Sequence, residues 1–336
     1  MNDDVLKKIF YCMERVVVFE GIDEVLGHIV KTAASLTQAD AASMRLFNIK
    51  SGLLEVKAGV GLSSDFMNQE PLALGEGIIG KVVVTGNSYK CSNVREDQDC
   101  CNKDLAAHEG INAILSVPLK NRDKSIGSLS VYRHSPQEFS DAELLVMSIF
   151  AAQAVEAVEK TEQLEHLKRE ATYDSLTGIY NRRFLLARID EELKRAERHQ
   201  RQMSITFIDL DDFKKFNDCH GHLLGDKLLK DISSLFKEEL RQNDFLGRIG
   251  GEEFIIVTPE TDKNGAMTIS RKLLDRIRRY EFLGREGRLM GISFSAGIAS
   301  FPDDGRTVEE LIRIADETMY QVKTDGKNGV QVASQA

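Results

Sequence analysis

The chain has 336 residues, 42% of them apolar, which is enough for about two hydrophobic cores. A formal charge of −9 excludes a surface built for bulk nucleic acid or anionic lipid, since both need a basic face. It does not exclude a nucleotide, whose phosphates need only a few local lysines and Mg²⁺.

The five cysteines are Cys12, Cys91, Cys100, Cys101 and Cys219, an odd number with two adjacent. The N-terminus is charged and carries no long apolar run, so no secretory leader is expected and a reducing cytoplasm is. The richest apolar stretch, 144–158, is interrupted by Ser148, Gln153 and Glu156. It falls short of the ~18 uninterrupted apolar residues of a membrane helix, so no membrane partner is expected.

In chain order, residues 5–36 carry apolar side chains at helical spacing, with a break at Gly21: Ile9, Met13, Val16 and Val17, then Val25, Ile29 and Ala33. Strand-like runs follow at 42–48 and 53–58. Gly75-Glu-Gly77-Ile-Ile-Gly80 opens a helix through Val84. Runs at 113–119 and 125–132 read as a hairpin across Asn121-Arg-Asp-Lys124. A long helix starts after Ser140, where Ser140 and Glu143 have the spacing of a capping box, and reaches residue 171. Its apolar stripe (Ile149, Ala152, Val155, Val158, Leu164, Leu167) thins toward a highly charged end.

This order, with the glycine turn at 75–80 and the stretch 116–139, resembles the GAF sensor domain. The resemblance implies an antiparallel sheet with inserted helices and a closing helix over residues 1–160. GAF domains share a fold and bind many ligands, so the ligand is left unknown. Asn102-Lys103 matches the start of a cyclic-nucleotide pattern, but the Phe and Asp-Glu that should follow are missing. Cys100-Cys101, near Cys91 and His108, lacks the paired spacing of a zinc site and reads as loop thiols. Gly75-x-Gly77-x-x-Gly80 formally matches a dinucleotide fingerprint but follows no clear parallel strand, and is discounted. The helix over 140–171 is expected to link the two domains and to pair with its twin in a homodimer.

The second half alternates strands and helices. Helices are expected at 184–198, 225–240, 262–280 and 308–322, and strands at 203–210 and 292–300. Between them stand two motifs. In the first, the apolar run Ser204-Ile-Thr-Phe-Ile ends in Asp209-Leu210-Asp211, followed by a polar loop and then a helix. In the second, Arg248-Ile-Gly-Gly-Glu-Glu-Phe254 reads as a hairpin with Gly250-Gly251 at the bend. Alternation along a strand should give Glu252 and Glu253 different faces and different tasks. A solvated hairpin would look the same taken alone. Carboxylates at a neighbouring strand end favour an oxygen-rich Mg²⁺ site instead.

These motifs, with Asp174-Ser-Leu-Thr177 and Asn181-Arg-Arg at the entry, Arg241-x-x-Asp244, and the stretch from Lys323 to Asn328, resemble GGDEF-domain diguanylate cyclases in the Gly-Gly-Glu-Glu-Phe form. The resemblance covers residues 172–330 of a domain placed at 172–336. It implies an α+β, palm-like, nucleotide-cyclase type of fold. It further implies the joining of two GTP molecules into cyclic di-GMP, with each protomer of a homodimer holding one GTP. Asp209, Glu252 and the backbone of Leu210 are implied as ligands of Mg²⁺ (or Mn²⁺), Glu252 also as general base, and Glu253 as the second carboxylate. Asn217, His222 and Asp226 are implied at guanine, and Phe213, Lys214, Lys323 and Lys327 at the phosphates. Many members carry Arg where Lys327 stands; Lys keeps the charge but loses the bidentate fork. Arg241 and Asp244 are implied as a product-inhibition site. Two alternatives stay open: a catalytically silent nucleotide-binding module, and a hybrid dinucleotide synthase. The intact carboxylates and Asp226 speak against each in turn.

Overall fold

Two stretches of strand pattern separated by one long helical run lead to two sheets, and the structure, a computed structural model, contains both. It describes residues 21–122, 124–280, 282–283 and 289–334. The helical pattern expected before Gly21 lies outside the described residues, as does Cys12. The chain divides into two compact units, Met1–Glu165 and His166–Ala336.

In the first unit, the helix Ile22–Leu36 precedes strands β1 (Ala41–Asn48) and β2 (Leu53–Val60). Next come a single turn of helix at Ser64–Met67, β3 (Leu72–Ala73), the helix Gly77–Thr85 and β4 (Tyr89–Cys91). The short helix Lys103–His108 then leads to β5 (Ala113–Asn121) and β6 (Lys124–Arg133). The antiparallel sheet has the order β3-β2-β1-β6-β5-β4. Alternation gives it two faces. Ala42, Met44, Leu129 and Val131 lie in one core with Leu26 and Ile29 of the first helix and Met147 and Phe150 of the long one. Ala41, Ile114 and Tyr132 form a second core with Phe66, Ile78 and Val94. The discounted glycine motif does a packing job: a Cβ on Gly80 would lie 2.8 Å from the carbonyl of Ala73, and the strand before it is antiparallel. Asn102 caps the 103–108 helix, accepting from the amide of Leu105.

The long helix, Asp141–Thr172, opens with the expected capping box: Glu143 accepts from the amide of Ser140, whose hydroxyl accepts from that of Glu143. Its buried residues run from Val146 to Ala157. Farther on, Leu164 and Leu167 are 49% and 59% exposed.

The second unit places the helix Arg182–His199 before β7 (Met203–Leu210). The polar stretch after β7, expected to be a loop, is instead a helix, Phe213–His220, because Phe213 and Phe216 fall on one helical face and bury it. Then come the helix His222–Glu239, β8 (Phe245–Gly250), β9 (Glu253–Pro259) and the helix Lys263–Arg279. A short ribbon, β10 (Phe282–Leu283) with β11 (Leu289–Met290), precedes β12 (Phe294–Phe301), the helix Val308–Thr324 and β13 (Gly329–Val332). The sheet order is β13-β12-β7-β9-β8, antiparallel except for β12 with β13. Ile208, Leu210, Phe254 and Ile256 face the core that includes the 213–220 and 222–239 helices, while Ile205, Phe207, Ile255 and Val257 face that of the 182–199 and 308–324 helices. Parity therefore puts Asp209 and Glu253, which pair across β7 and β9, on the face covered by the last helix.

Candidate active site

Three acidic residues at the end of β7 and just beyond it meet three different fates. Asp209 is 7% exposed, and its Oδ2 lies 2.8 Å from the Lys323 ammonium. Burial pushes its pKa above the ordinary carboxylate value, against the pull of Lys323. Asp211, equally buried, accepts from the hydroxyls of Ser293 (2.6 Å) and Ser295 (2.7 Å) and from the amide of Asn328 (2.9 Å). It thus ties β7 to β12 and to the chain end. Asp212 has left-handed backbone at φ 57° and sits between Lys215 (2.8 Å) and Lys327 (2.9 Å), whose bonds hold its carboxyl down at about 2.

The hairpin bend is one residue later than expected. Gly250 pairs with Glu253, so the two turn residues are Gly251, at φ 48°, and Glu252. Glu252 therefore stands on the bend rather than on a strand. Arg248 holds this turn: its Nε and Nη2 donate to the Gly251 carbonyl at 2.9 and 2.7 Å. Its Nη1 donates to Asp174 at 3.1 Å. Asp174 also accepts from the amide and hydroxyl of Thr177, so the entry motif and the signature turn are joined through one guanidinium.

Between the end of β7 and the turn lies a pocket of about 250 Å³. Asp209, Leu210 and Glu252 line it, together with Phe213, Lys214, Lys323 and Lys327. Phe213 contributes the first turn of its helix, since its ring is in the core. No side chain caps that helix, so its first amides are open to an anion. Asp211 and three residues not singled out beforehand, Asp212, Lys215 and Asp218, complete the wall. Carboxylates and ammonium groups around one small space suit a cation and a polyanion together.

Glu253 does not line this pocket. Burial and then the charges of Asp209 and Asp316 push its carboxyl up. Asp316 was legible in principle, as it stands seven residues before Lys323, two helical turns away on the same face. Asn217, His222 and Asp226 lie on the 213–220 and 222–239 helices, outside the pocket wall. His222 and Asp226 are exposed, and Oδ1 of Asn217 is buried without a hydrogen-bond partner. Arg241 and Asp244 make no side-chain ion pair among the described residues. Instead the Asp244 carboxylate accepts from the Arg241 amide at 3.0 Å, and the Arg241 side chain is exposed.

Among the described residues no three His, Cys, Asp or Glu side chains form a cluster able to hold a metal alone. Mg²⁺ is commonly held by one or two carboxylates completed by substrate phosphates. Asp209, Glu252 and the Leu210 backbone on one wall fit that pattern, and Lys323 already places a positive charge on Asp209.

Comparison with known proteins agrees with the architecture. The family model described as "Diguanylate cyclase, GGDEF domain" matches residues 171–329. The chain carries a GGDEF domain. A GAF domain precedes it, matched over residues 20–159. The bifunctional diguanylate cyclase/cyclic di-GMP phosphodiesterase MucR of Pseudomonas aeruginosa is 39% identical over 160 residues, 47% of this chain and 23% of that protein. The response regulator PleD of Caulobacter vibrioides is 34% identical over 168 residues, 50% of this chain and 37% of that protein. The chain thus matches well under half the length of either relative. The crystal structure of the coiled coil and GGDEF domain of DgcB from Caulobacter crescentus, in complex with c-di-GMP, superposes with a TM-score of 0.51 at 26% identity, covering 55% of this chain and 98% of that one. Both resemblances read from the sequence, GAF and GGDEF, are borne out. No described helix is long and apolar enough to cross a membrane, and Cys91, Cys100, Cys101 and Cys219 are free thiols.

Proposed function

We propose that the chain is a diguanylate cyclase that condenses two GTP molecules into cyclic di-GMP and releases two pyrophosphates. One observation carries this reading: Asp209 and Glu252 share a pocket with Lys323, Lys327 and an uncapped helix start. In each half-reaction the 3′-hydroxyl of one GTP attacks the α-phosphorus of the other, and pyrophosphate leaves. Lys323, Lys327 and the amides of the 213–220 helix hold the triphosphate, and Lys214 adds charge at the rim. Glu252, on the bend, accepts the proton of the attacking hydroxyl. Asn217, His222 and Asp226 hold guanine, with Asp226 accepting from N1–H and the N2 amino group, donors that adenine lacks in that arrangement. Mg²⁺ or Mn²⁺, bound with the nucleotide at Asp209 and Glu252, would supply charge neutralisation at the phosphates.

With one GTP per pocket, two protomers must face each other, so the active form is a homodimer. The exposed Leu164 and Leu167 of the 141–172 helix provide a short seam for pairing. In this reading the GAF domain, within 1–160, acts through the 140–171 helix on the catalytic domain at 172–336. Product returns to Arg241 and Asp244 as an inhibitor, and the enzyme works in the cytoplasm, where GTP is abundant.

The test is chromatography of products after incubation with GTP and Mg²⁺, beside Glu252→Ala and a GTP/ATP mixture. Cyclic di-GMP is expected from the wild type, with a drop of at least about 100-fold in the variant. A mixed guanine–adenine product would overturn the role given to Asp226. A wild type that binds GTP yet makes no product, as purified dimer, would leave the silent binding module.

A further inference from the structure

The GAF domain contains a buried cation that no described carboxylate pairs with; the Phe66 ring lies 5.8 Å from its guanidinium carbon. Arg45, on β1, is 1% exposed. A guanidinium has five N–H donors. The one hydrogen bond that Arg45 makes among the described residues is long, from Nη1 to the carbonyl of Leu54 at 3.4 Å, and its Nε has no partner. No carboxylate forms an ion pair with it among the described residues. Glu76, the acidic group nearest in effect, is exposed and turned to the amide of Ala73. Burial pulls the Arg45 pKa down, the mark of a charge short of compensation.

The surroundings aim this charge at a cavity. The ladder between β1 and β2 is interrupted by a bulge at Met44/Arg45, a device that re-aims a side chain. Arg45 lies on the sheet face of Ala41 and Tyr132, away from the core that holds Met44, and it lines a cavity of about 90 Å³. Directly across the β1–β6 ladder, outside the cavity wall, stands Ser128, whose buried hydroxyl has no partner among the described residues. Residues so paired share a face with their Cβ atoms about 5 Å apart. Of the other polar side chains in the wall, Tyr132 bonds with Ser43, Gln69 donates to the Phe66 carbonyl and Asn102 caps a helix. Burial raises the Cys100 and Cys101 thiols, so they stay neutral and leave Arg45 as the charge of the cavity. The rest of the wall is apolar, with Leu72, Ile78 and Ile79 among its members.

We propose that this cavity binds a short-chain monocarboxylate, its carboxylate on the guanidinium of Arg45 and its alkyl end against the apolar wall. About 90 Å³ is well below the room that drug-sized ligands need, which keeps the ligand near the size of acetate or propionate. A carboxylate matches the guanidinium fork and brings the missing charge. The inference does not depend on the activity of the GGDEF domain.

The test uses the full chain in carboxylate-free buffer, with propionate, its neutral counterpart propionamide, and nitrate titrated by calorimetry and followed by thermal melting. Propionate is expected to bind and raise the melting temperature, with propionamide at least about tenfold weaker. Equal binding of propionamide overturns the proposal, as does silence of propionate at millimolar concentration. Nitrate binding tighter than propionate would replace the carboxylate with an inorganic anion and equally overturn it. Arg45→Met is expected to abolish the propionate response while keeping the far-UV circular dichroism of the wild type. Unchanged affinity in Arg45→Met would sink the idea. Should that variant misfold, the ligand series on the wild type still decides.

Discussion

Two buried charges on two sheets are treated in opposite ways. Asp211 in the GGDEF domain receives two hydroxyls and an amide, from Ser293, Ser295 and Asn328. Arg45 in the GAF domain donates one long bond, to the Leu54 carbonyl. Taking a charge from water costs several kcal/mol unless partners replace the lost hydration. Asp211 is therefore architecture: although it lines the pocket, its charge is satisfied by the segments it fastens. Arg45 has its capacity unspent. Asp209 stands between these cases. Lys323 compensates it, but that lysine is partly exposed and also faces the pocket, so the pair can be re-divided when a cation and a polyanion arrive. Satisfaction of a buried charge thus separates structural groups from binding groups, where residue type alone does not.

The comparison is most easily broken at its two ends. Asp211→Asn should destabilise the GGDEF domain by about 3 kcal/mol, because three donors lose a charged acceptor. Arg45→Met should leave the GAF domain unchanged or more stable by about 1 kcal/mol in the absence of ligand, since an unpaired buried charge is replaced by an apolar chain of similar length. Urea denaturation of the two variants, with separate probes for the two domains, measures both. If Arg45→Met costs as much as Asp211→Asn, the contrast between a satisfied and an orphaned charge fails.

A smaller effect sharpens the account of the signature turn. Arg248 reaches Gly251 with two nitrogens and Asp174 with a third. Lysine carries the charge but cannot make that fork. Arg248→Lys should cost about 1–2 kcal/mol of stability and lower the rate of product formation about tenfold, through misplacement of Glu252 on the bend. A rate unchanged at saturating GTP would show that the turn keeps its shape without the clamp.

These contrasts also explain what could be read from the sequence. The strands at 203–210 and 113–119, the capping box at Ser140 and the helices of the GGDEF domain follow from period and caps, which are local. The 213–220 helix was missed because five of its eight residues are polar or charged, and only Phe213 and Phe216 reveal a buried face. That Asp209, Glu252, Lys323 and Lys327 line one pocket was implied by the resemblance to GGDEF-domain cyclases, not by period or caps. Asp211 and Arg248 were visible as letters but not as jobs, because their partners Ser293, Ser295 and Asp174 are distant in the chain. Arg45 reads as an ordinary polar position in an alternating strand. Only tertiary packing reveals that no described carboxylate comes to meet it.

The smallest expected effect concerns the other end of the clamp, where charge and hydrogen bonding can be told apart by pH. Burial pushes the Asp174 carboxyl up, but its bonds from Thr177 and the Arg248 charge outweigh this and leave it below the ordinary value. A carboxyl depressed in the folded state stabilises fully above its unfolded pKa of about 3.9 and loses that contribution as pH falls through the folded value. Asp174→Asn keeps an acceptor for Thr177 and removes the charge. Wild type should therefore exceed the variant by about 1 kcal/mol near neutrality, and the difference should shrink as pH drops below about 4. Urea midpoints of both proteins across the acid range measure it. A difference that persists undiminished in acid would assign the anchoring to Thr177 rather than to Arg248, and the entry motif would then be held by its own turn and not by the signature hairpin.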